Sequence, residues 1–422
     1  DLTDKDQIVN KDAVSMLVSL GIIEGKPDGS YAPTENVDRA QMAKMLSVIM
    51  NKGVDNSALY QSVNSGLTDI TSNWAKGHIN YCYTTGIIAG RGNGTFDPSA
   101  TVTALEAAKM LLVAVGYDPA IEGFEGADWA INVSVRADEQ GIFEGFTKDL
   151  SAPLNRDDAA LLIYNALDVE MIQSYTTNNY PIAYSDHRTI LADKYGVIKV
   201  QGVVVANEWA SLASDDGDAA LKEGKTTIYN GEGIFSTTGN TTVSKEDASL
   251  KTQTFNVSTP VDMLGKTVNL YIKKTTILAD STVYGDPVVS DVNTVVTTGE
   301  TVLYSGAKDP QVDYDKLLGE NGLTDKDAKY FWNYNSGKYI PNTTEKYGDK
   351  TANVKGATLT IIDNNGDGEV DYVLSVEKAL ADITSVNSKK ETVTIRTLGT
   401  LDNKDVVGYE DMAKEDVVLY VQ

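Results

Sequence analysis

One element recurs three times in the first 168 residues, and its spacing limits what that region can fold into. Gly21-Ile-Ile-Glu-Gly25 returns as Gly86-Ile-Ile-Ala-Gly90 and as Gly141-Ile-Phe-Glu-Gly145. A proline stands 12 residues after the first glycine each time, at Pro33, Pro98 and Pro153, and Trp74 and Trp129 stand 12 residues before theirs. Turn sequences fill the interval in the first two copies, Asp28-Gly29-Ser30-Tyr31 and Asn93-Gly94-Thr95-Phe96. A helix start follows each proline: Asp38-Arg39-Ala40-Gln41, Thr103-Ala104-Leu105-Glu106 and Asn155-Arg156-Asp157-Asp158, the second a capping box. Apolar residues flank these signals at helical spacing, as in Val14, Leu17 and Val18 or Ala40, Ala43, Leu46 and Ile49. Each unit therefore reads helix, glycine-terminated turn, extended loop, proline, capped helix. One such hairpin cannot bury its apolar faces alone, so three must pack into a helical domain of roughly 165 residues.

At these residues the chain resembles the S-layer homology (SLH) family. The order Asp69-Ile70, Trp74-Ala75, Gly86 to Gly90, Gly94-Thr95-Phe96-Asp97-Pro98, Thr103 and Glu106 is that of one SLH motif, and three in tandem are similar to a wall-anchoring unit. The resemblance covers about 1–168, with repeats at about 1–52, 66–117 and 124–168. It implies an all-α, pseudo-threefold bundle whose inter-repeat grooves bind anionic secondary cell-wall polysaccharide, often pyruvylated, on a secreted protein of the bacterial cell wall or S-layer. Carried over residue by residue, it makes Arg39 and Arg156 the carboxylate-binding cations and Trp74 and Trp129 the aromatic sugar contacts. Asp69, Gly90, Gly94, Thr103 and Glu106 are the further motif positions of repeat two. A guanidinium can grip a carboxylate with two donors, and a helix N-terminus adds more. The repeats depart from the pattern unequally. Val9 stands where the others have Trp, Ala104 where the pattern has Arg, and repeat three is three residues shorter between its proline and its arginine, Pro153 to Arg156. An asymmetric anchor that depends chiefly on Arg39 and Arg156 is expected.

Beyond about Tyr195 short alternating runs of Val, Thr, Ile and Tyr, punctuated by Gly, Asn and Asp, read as strands and turns. The whole is thus expected to be a multidomain α + β protein, its helical anchor followed by β-rich modules in small barrel or sandwich form. A linker is expected at 169–192, a β module at 193–273, an insertion or third small module at 274–355, and a second β module at 356–422. The two modules are matched by an internal echo, Asp262 to Lys273 against Asp411 to Gln422. The second copy stops in mid-strand, which suggests a longer full protein, and the missing initiator Met and signal pattern at Asp1 suggest a processed or trimmed one. Asp363, Asn365, Asp367 and Asp371 alternate as calcium ligands do, with Gly368 at the sharp turn, but the bidentate Glu of such loops is replaced by Leu374. A plain hairpin tip between two strands competes with calcium here.

Composition narrows the function. The net charge of −24, from 60 acidic and 36 basic residues, argues against a nucleic-acid partner. No apolar run approaches the ~18–20 residues of a membrane span. Cys82 is the single cysteine, so no disulfide frame or thiolate cluster exists, and its apolar setting reads as buried. There are two histidines, His78 and His187, and no HExxH or Walker-type motif. His78 is expected on the surface of its repeat. These features favour a non-enzymatic structural surface protein, a homo-oligomer or lattice former. The alternative is a wall-anchored adhesin or carbohydrate-binding protein.

Overall fold

The computed structural model describes residues 2–212, 220–234, 250–273, 278–298, 314–335, 338–341, 357–377, 379–406 and 408–420. The chain divides into two compact units. The first comprises Asp1–Gln201, Gly231–Asn256 and Asn269–Val288; the second comprises Gly202–Asn230, Val257–Val268 and Val289–Gln422.

Each repeat contributes two helices to the first unit. They are Lys11–Ser19 (α1) and Arg39–Met50 (α2), Lys76–Thr84 (α3) and Ala104–Val115 (α4), and Trp129–Glu139 (α5) and Arg156–Leu167 (α6). The start of each second helix is fixed by its cap. The Asp38 side chain accepts from Gln41 N at 2.7 Å while Gln41 Oε1 accepts from Asp38 N at 3.0 Å, and Thr103 with Glu106 repeats this reciprocal pair. Asn155 Oδ1 accepts from Asp158 N at 2.7 Å in the third copy. The end of each first helix is fixed by the repeated glycine. Gly21, Gly86 and Gly141 hold φ near +70° to +79°, a region open to glycine. The chain turn lets Ile22 N reach Leu17 O, Ile87 N reach Cys82 O and Ile142 N reach Ala137 O, at 2.8–2.9 Å.

Between proline and helix the three repeats hold one another. Val37 N donates to Leu154 O (2.8 Å), Leu154 N to Val102 O (2.7 Å), and Val102 N to Val37 O (2.9 Å), a closed cycle of three bonds. The helix starts close a second cycle in the opposite sense: Arg39 N donates to Ala100 O, Leu105 N to Leu150 O and Arg156 N to Glu35 O. The helices' apolar faces meet in one core that includes Leu17, Met42, Leu46, Ile79, Leu111, Val133 and Ile163, all essentially inaccessible. Truncating a residue such as Leu46 to Ala should cost about 2–5 kcal/mol. His78 is also in this core, 3% exposed, rather than at the surface. Its position in the repeat recurs as Ala13 and Val133, both buried, so it belongs to the inward face of α3. Residues 169–192, read from sequence as a linker, contain an antiparallel pair, Ile172–Tyr175 (β1) and Pro181–Ala183 (β2).

Strands dominate the remainder: Ile198–Ala206 (β3), Thr226–Tyr229 (β4), Thr252–Phe255 (β5), Thr267–Lys273 (β6), Thr282–Val289 (β7) and Thr294–Thr297 (β8). A short helix, Tyr314–Glu320 (α7), precedes Lys329–Asn335 (β9), Lys338–Pro341 (β10), Ala357–Asp363 (β11) and Tyr372–Glu377 (β12). The last strands are Ala379–Asn387 (β13), Thr392–Ile395 (β14), Gly399–Asp402 (β15) and Val417–Tyr420 (β16). Within the second unit β3 and β4 pair antiparallel, with Val204 opposite Ile228. A five-stranded sheet has the order β10-β9-β12-β11-β8 and a four-stranded one β15-β14-β13-β16. Pairing is antiparallel except for β12 against β9. Among the described residues these sheets are open, so the barrel form expected from sequence is not what they adopt. The five-stranded sheet takes β8 to β10 from 274–355 and β11 and β12 from 356–422, so the boundary expected at 355/356 runs through a sheet. The sequence echo has a structural counterpart, since β6 and β16 each follow a single helical turn, Val261–Met263 and Tyr409–Asp411.

Candidate functional site

The cyclic contact between repeats puts the first residue of each second helix against the glycine loop of the next repeat. In the first case that residue is Arg39, only 4% exposed. Its Nε donates to Phe96 O at 2.8 Å and an Nη to Ala89 O at 2.9 Å, and the guanidinium lies 4.4 Å from the Phe96 ring centroid. The other Nη faces Glu106 at 3.8 Å. Burial, with Arg91 nearby, lowers the Arg39 pKa from its ordinary value, which nevertheless leaves arginine charged at neutral pH. A groove of about 530 Å³ opens here, lined by Arg39, Gly90, Arg91, Glu106, Lys109 and Trp129 among others. Lys109 Nζ stands 5.8 Å from the Trp129 ring centroid, and burial lowers its pKa too.

Arg156 reproduces the arrangement at the next step of the cycle. Its Nε donates to Tyr31 O at 2.8 Å and an Nη to Glu24 O at 3.2 Å, with the guanidinium 4.9 Å from the Tyr31 ring centroid. The groove beside it, about 290 Å³, is lined by Gly25, Lys26, Gln41, Lys44, Trp74 and Arg156 among others. The match is position by position: Lys44 and Lys109 both lie six residues after the N-cap, and each tryptophan comes from the remaining third repeat. Trp74 is 57% exposed and so is no core residue. Two backbone carbonyls hold each guanidinium in place, so a ligand carboxylate meets a cation that needs little further ordering.

The third step of the cycle lacks these groups. Ala104 replaces the arginine and is fully buried, Leu161 replaces the lysine, and Val9, 82% exposed, replaces the tryptophan. Lys148 is there, but it pairs with Asp158.

Of the residues expected from sequence, Arg39, Gly90, Glu106 and Trp129 meet around one groove and Arg156 and Trp74 around the other. Asp69, Gly94 and Thr103 line neither. Asp69 accepts from Phe96 N and Asp97 N at 2.9 and 2.7 Å, clamping the loop before Pro98, as Asp4 does for Tyr31 and Ala32 before Pro33. The Tyr31 amide bond, with that of Ala32, holds the Asp4 carboxyl below the usual range. Gly94 O accepts from Thr68 N, and Thr103 is the helix cap. Gly90 is required by close approach: a Cβ there would meet Thr95 O at 2.9 Å. Sequence reading missed Lys44, Lys109 and the rings of Tyr31 and Phe96. The signal was present, because Ala43-Lys44-Met45 recurs as Ala108-Lys109-Met110 at the repeat offset.

Asp363, Asn365, Asp367 and Asp371 lie in the turn joining β11 to β12. Asp363, 1% exposed, accepts from the backbone N–H groups of Asn365, Gly366 and Gly368. Asn365, Asp367 and Asp371 likewise each accept from a backbone N–H of the loop. Among the described residues no group of three or more His, Cys, Asp or Glu side chains is placed to hold a metal ion. In this geometry these side chains close the hairpin by accepting from backbone N–H groups.

His78 makes a serine–histidine–aspartate line with Ser47 (Oγ to Nδ1, 2.6 Å) and Asp55 (Oδ2 to Nε2, 3.6 Å). Ser47 and His78 are both buried, and Ser47 Oγ also donates to Lys44 O. A hydroxyl whose proton is held by a carbonyl, out of reach of solvent, is not an activated nucleophile. Burial of Cys82, whose Sγ donates to Ala43 O, pushes its thiol pKa up and leaves it inert. No helix among the described residues is long and apolar enough to cross a membrane.

Sequence comparison agrees with the repeats. A family model described as S-layer homology domain matches 1–43 and 66–108, which fall in repeats one and two. A "Cell surface protein" of Thermoanaerobacter kivui is 27% identical over 234 residues, 55% of this chain and 28% of that protein. An "S-layer protein" of Bacillus licheniformis is 32% identical over 113 residues, 27% of this chain and 12% of that protein. An "Amylopullulanase" of Thermoanaerobacterium thermosulfurigenes is 30% identical over 173 residues, 37% of this chain and 9% of that protein. The chain thus matches less than a third of the length of each of these curated relatives. It is an SLH-domain protein of the bacterial cell surface, secreted and located at the cell wall or S-layer.

Proposed function

We propose that the three repeats form a pseudo-threefold anchor that binds anionic secondary cell-wall polysaccharide, including pyruvylated forms, in the two grooves at Arg39 and Arg156. One observation carries this reading: the same set of arginine, lysine and tryptophan, each from a different repeat, is assembled twice in a chain whose net charge is −24. Local cations in an acidic protein serve an acidic ligand, and the tryptophan faces suit sugar C–H surfaces. The cyclic hydrogen bonds through Val37, Leu154 and Val102 support the threefold arrangement. The β-rich remainder, on this reading, is non-enzymatic and supports a lateral array of copies, with calcium at the Asp363–Asp371 turn a further element of the same proposal.

The test is co-sedimentation of the full chain with purified sacculi. The double substitution Arg39→Ala and Arg156→Ala should abolish sedimentation while circular dichroism stays unchanged. Undiminished sedimentation of that variant sinks the reading. Electron microscopy of the purified protein with calcium should show sheets; monomers alone would remove the array.

A further inference from the structure

We propose that the two grooves are tuned to different ligand charge, the Arg156 groove taking a carboxylate-bearing sugar more tightly than the Arg39 groove, and that the choice of Gln41 or Glu106 sets the difference. This rests on the glycan reading above.

The two residues are equivalent, each at the third position of the helix and each closing a capping box. Glu106 spends Oε2 on Thr103 N and turns Oε1 to the groove, 3.2 Å from an Nη of Arg91 and 3.8 Å from an Nη of Arg39. Arg91 also faces Asp97 at 3.6 Å, and Glu125 lines the same groove. Two of the three cations of the Arg39 groove, Arg39 and Arg91, are thus already paired with protein carboxylates. An incoming carboxylate must share Arg39 with Glu106 and sit beside a like charge.

Gln41 fills its cap position without charge, its Oε1 accepting from Asp38 N at 3.0 Å. Arg156 makes no ion pair with any described residue, and Glu24 meets it through the backbone carbonyl. Lys26 pairs with Glu35, outside the lining, while Lys44 remains in it. Three cations thus face one lining carboxylate at Arg156, against three cations and two carboxylates at Arg39. A like charge about 4 Å away in a partly desolvated site changes affinity by roughly tenfold or more.

Gln and Glu both serve a capping box, so exchanging them changes charge and keeps the helix start. The probe is the methyl glycoside of a 4,6-pyruvate-ketal hexose, with its neutral methyl ester as control, titrated calorimetrically into the full chain. Arg39→Ala isolates the Arg156 groove, and Arg156→Ala isolates the Arg39 groove. The first variant should bind the ketal acid more tightly than the second. Glu106→Gln in the Arg156→Ala background should tighten binding about tenfold, and Gln41→Glu in the Arg39→Ala background should weaken it about tenfold. The methyl ester should respond to neither exchange. Equal affinities of the two isolated grooves, or no response to either exchange, overturn the charge tuning. If the Arg39→Ala and Arg156→Ala double variant binds the acid like wild type, the glycan reading itself fails and takes this proposal with it.

Discussion

The two cationic grooves and the third step of the cycle are built on one backbone plan yet differ in chemistry. At all three steps a polar side chain caps the second helix, a left-handed glycine ends the first, and the hydrogen-bond cycle closes between repeats. Arginine, lysine and tryptophan appear at two steps; alanine, leucine and valine stand at the third. The scaffold must be complete three times because each repeat supplies apolar surface and backbone partners to the next. A binding groove has no such obligation, since an alanine at position 104 leaves the core intact.

After the loss expected on removing both arginines, the largest effect lies in the aromatic contacts. Trp74→Ala and Trp129→Ala should each weaken sacculus binding by about tenfold, on the order of 1.4 kcal/mol, whereas Val9→Ala should leave it unchanged. A loss for Val9→Ala as great as for the tryptophans would mean that all three steps bind. Next come the caps, where the steps should be alike. Asp38→Ala, Thr103→Ala and Asn155→Ala should each cost about 1 kcal/mol in urea unfolding. A markedly smaller cost at Asn155 would show that the third repeat is held differently.

A smaller effect separates the Arg156 groove from the other. His78 lies behind Trp74, with ring centroids 6.3 Å apart. Burial, aided by Lys44 and opposed by Asp55, lowers its pKa below 6.5. The unfolded chain therefore takes up this proton first, so stability falls as pH drops below about 6.5 and levels off below the folded value. Between pH 7.5 and 5.5 the melting temperature should fall by on the order of 2 °C more in wild type than in His78→Gln. Identical pH profiles would remove His78 as the source. The smallest effect concerns the Asp363–Asp371 turn, whose carboxylates close the hairpin. Adding 1 mM calcium should raise the melting temperature by about 1 °C, and Asp363→Ala should remove the rise; no change in the unsubstituted chain would remove calcium from this turn.

Much of the anchor was legible along the chain because its determinants are local. Glycine at a helix end, a cap three residues before its partner, and apolar residues at helical spacing act within one turn of backbone. Arg39, Arg156, Trp74 and Trp129 were visible as repeat positions. His78 was misplaced because its side chain gives no sign of burial; only alignment with Ala13 and Val133 reveals the inward face. At Asp363 the alternating oxygens visible along the chain serve backbone N–H groups in a tight turn as well as they would serve a cation, so spacing alone does not separate the two. The module boundary at 355/356 was not legible, because strand pairing joins segments far apart in sequence.

The sequence by itself determined the three-unit plan, the helix limits and the inequality of the repeats, since each is written in spacing and residue type. Tertiary structure alone decided which residues share a groove. Arg39 faces the loop of repeat two and the tryptophan of repeat three, and Arg156 faces the loop of repeat one and the tryptophan of repeat two. The cause is the cycle of backbone bonds through Val37, Leu154 and Val102, which joins residues more than fifty positions apart and so has no local signal.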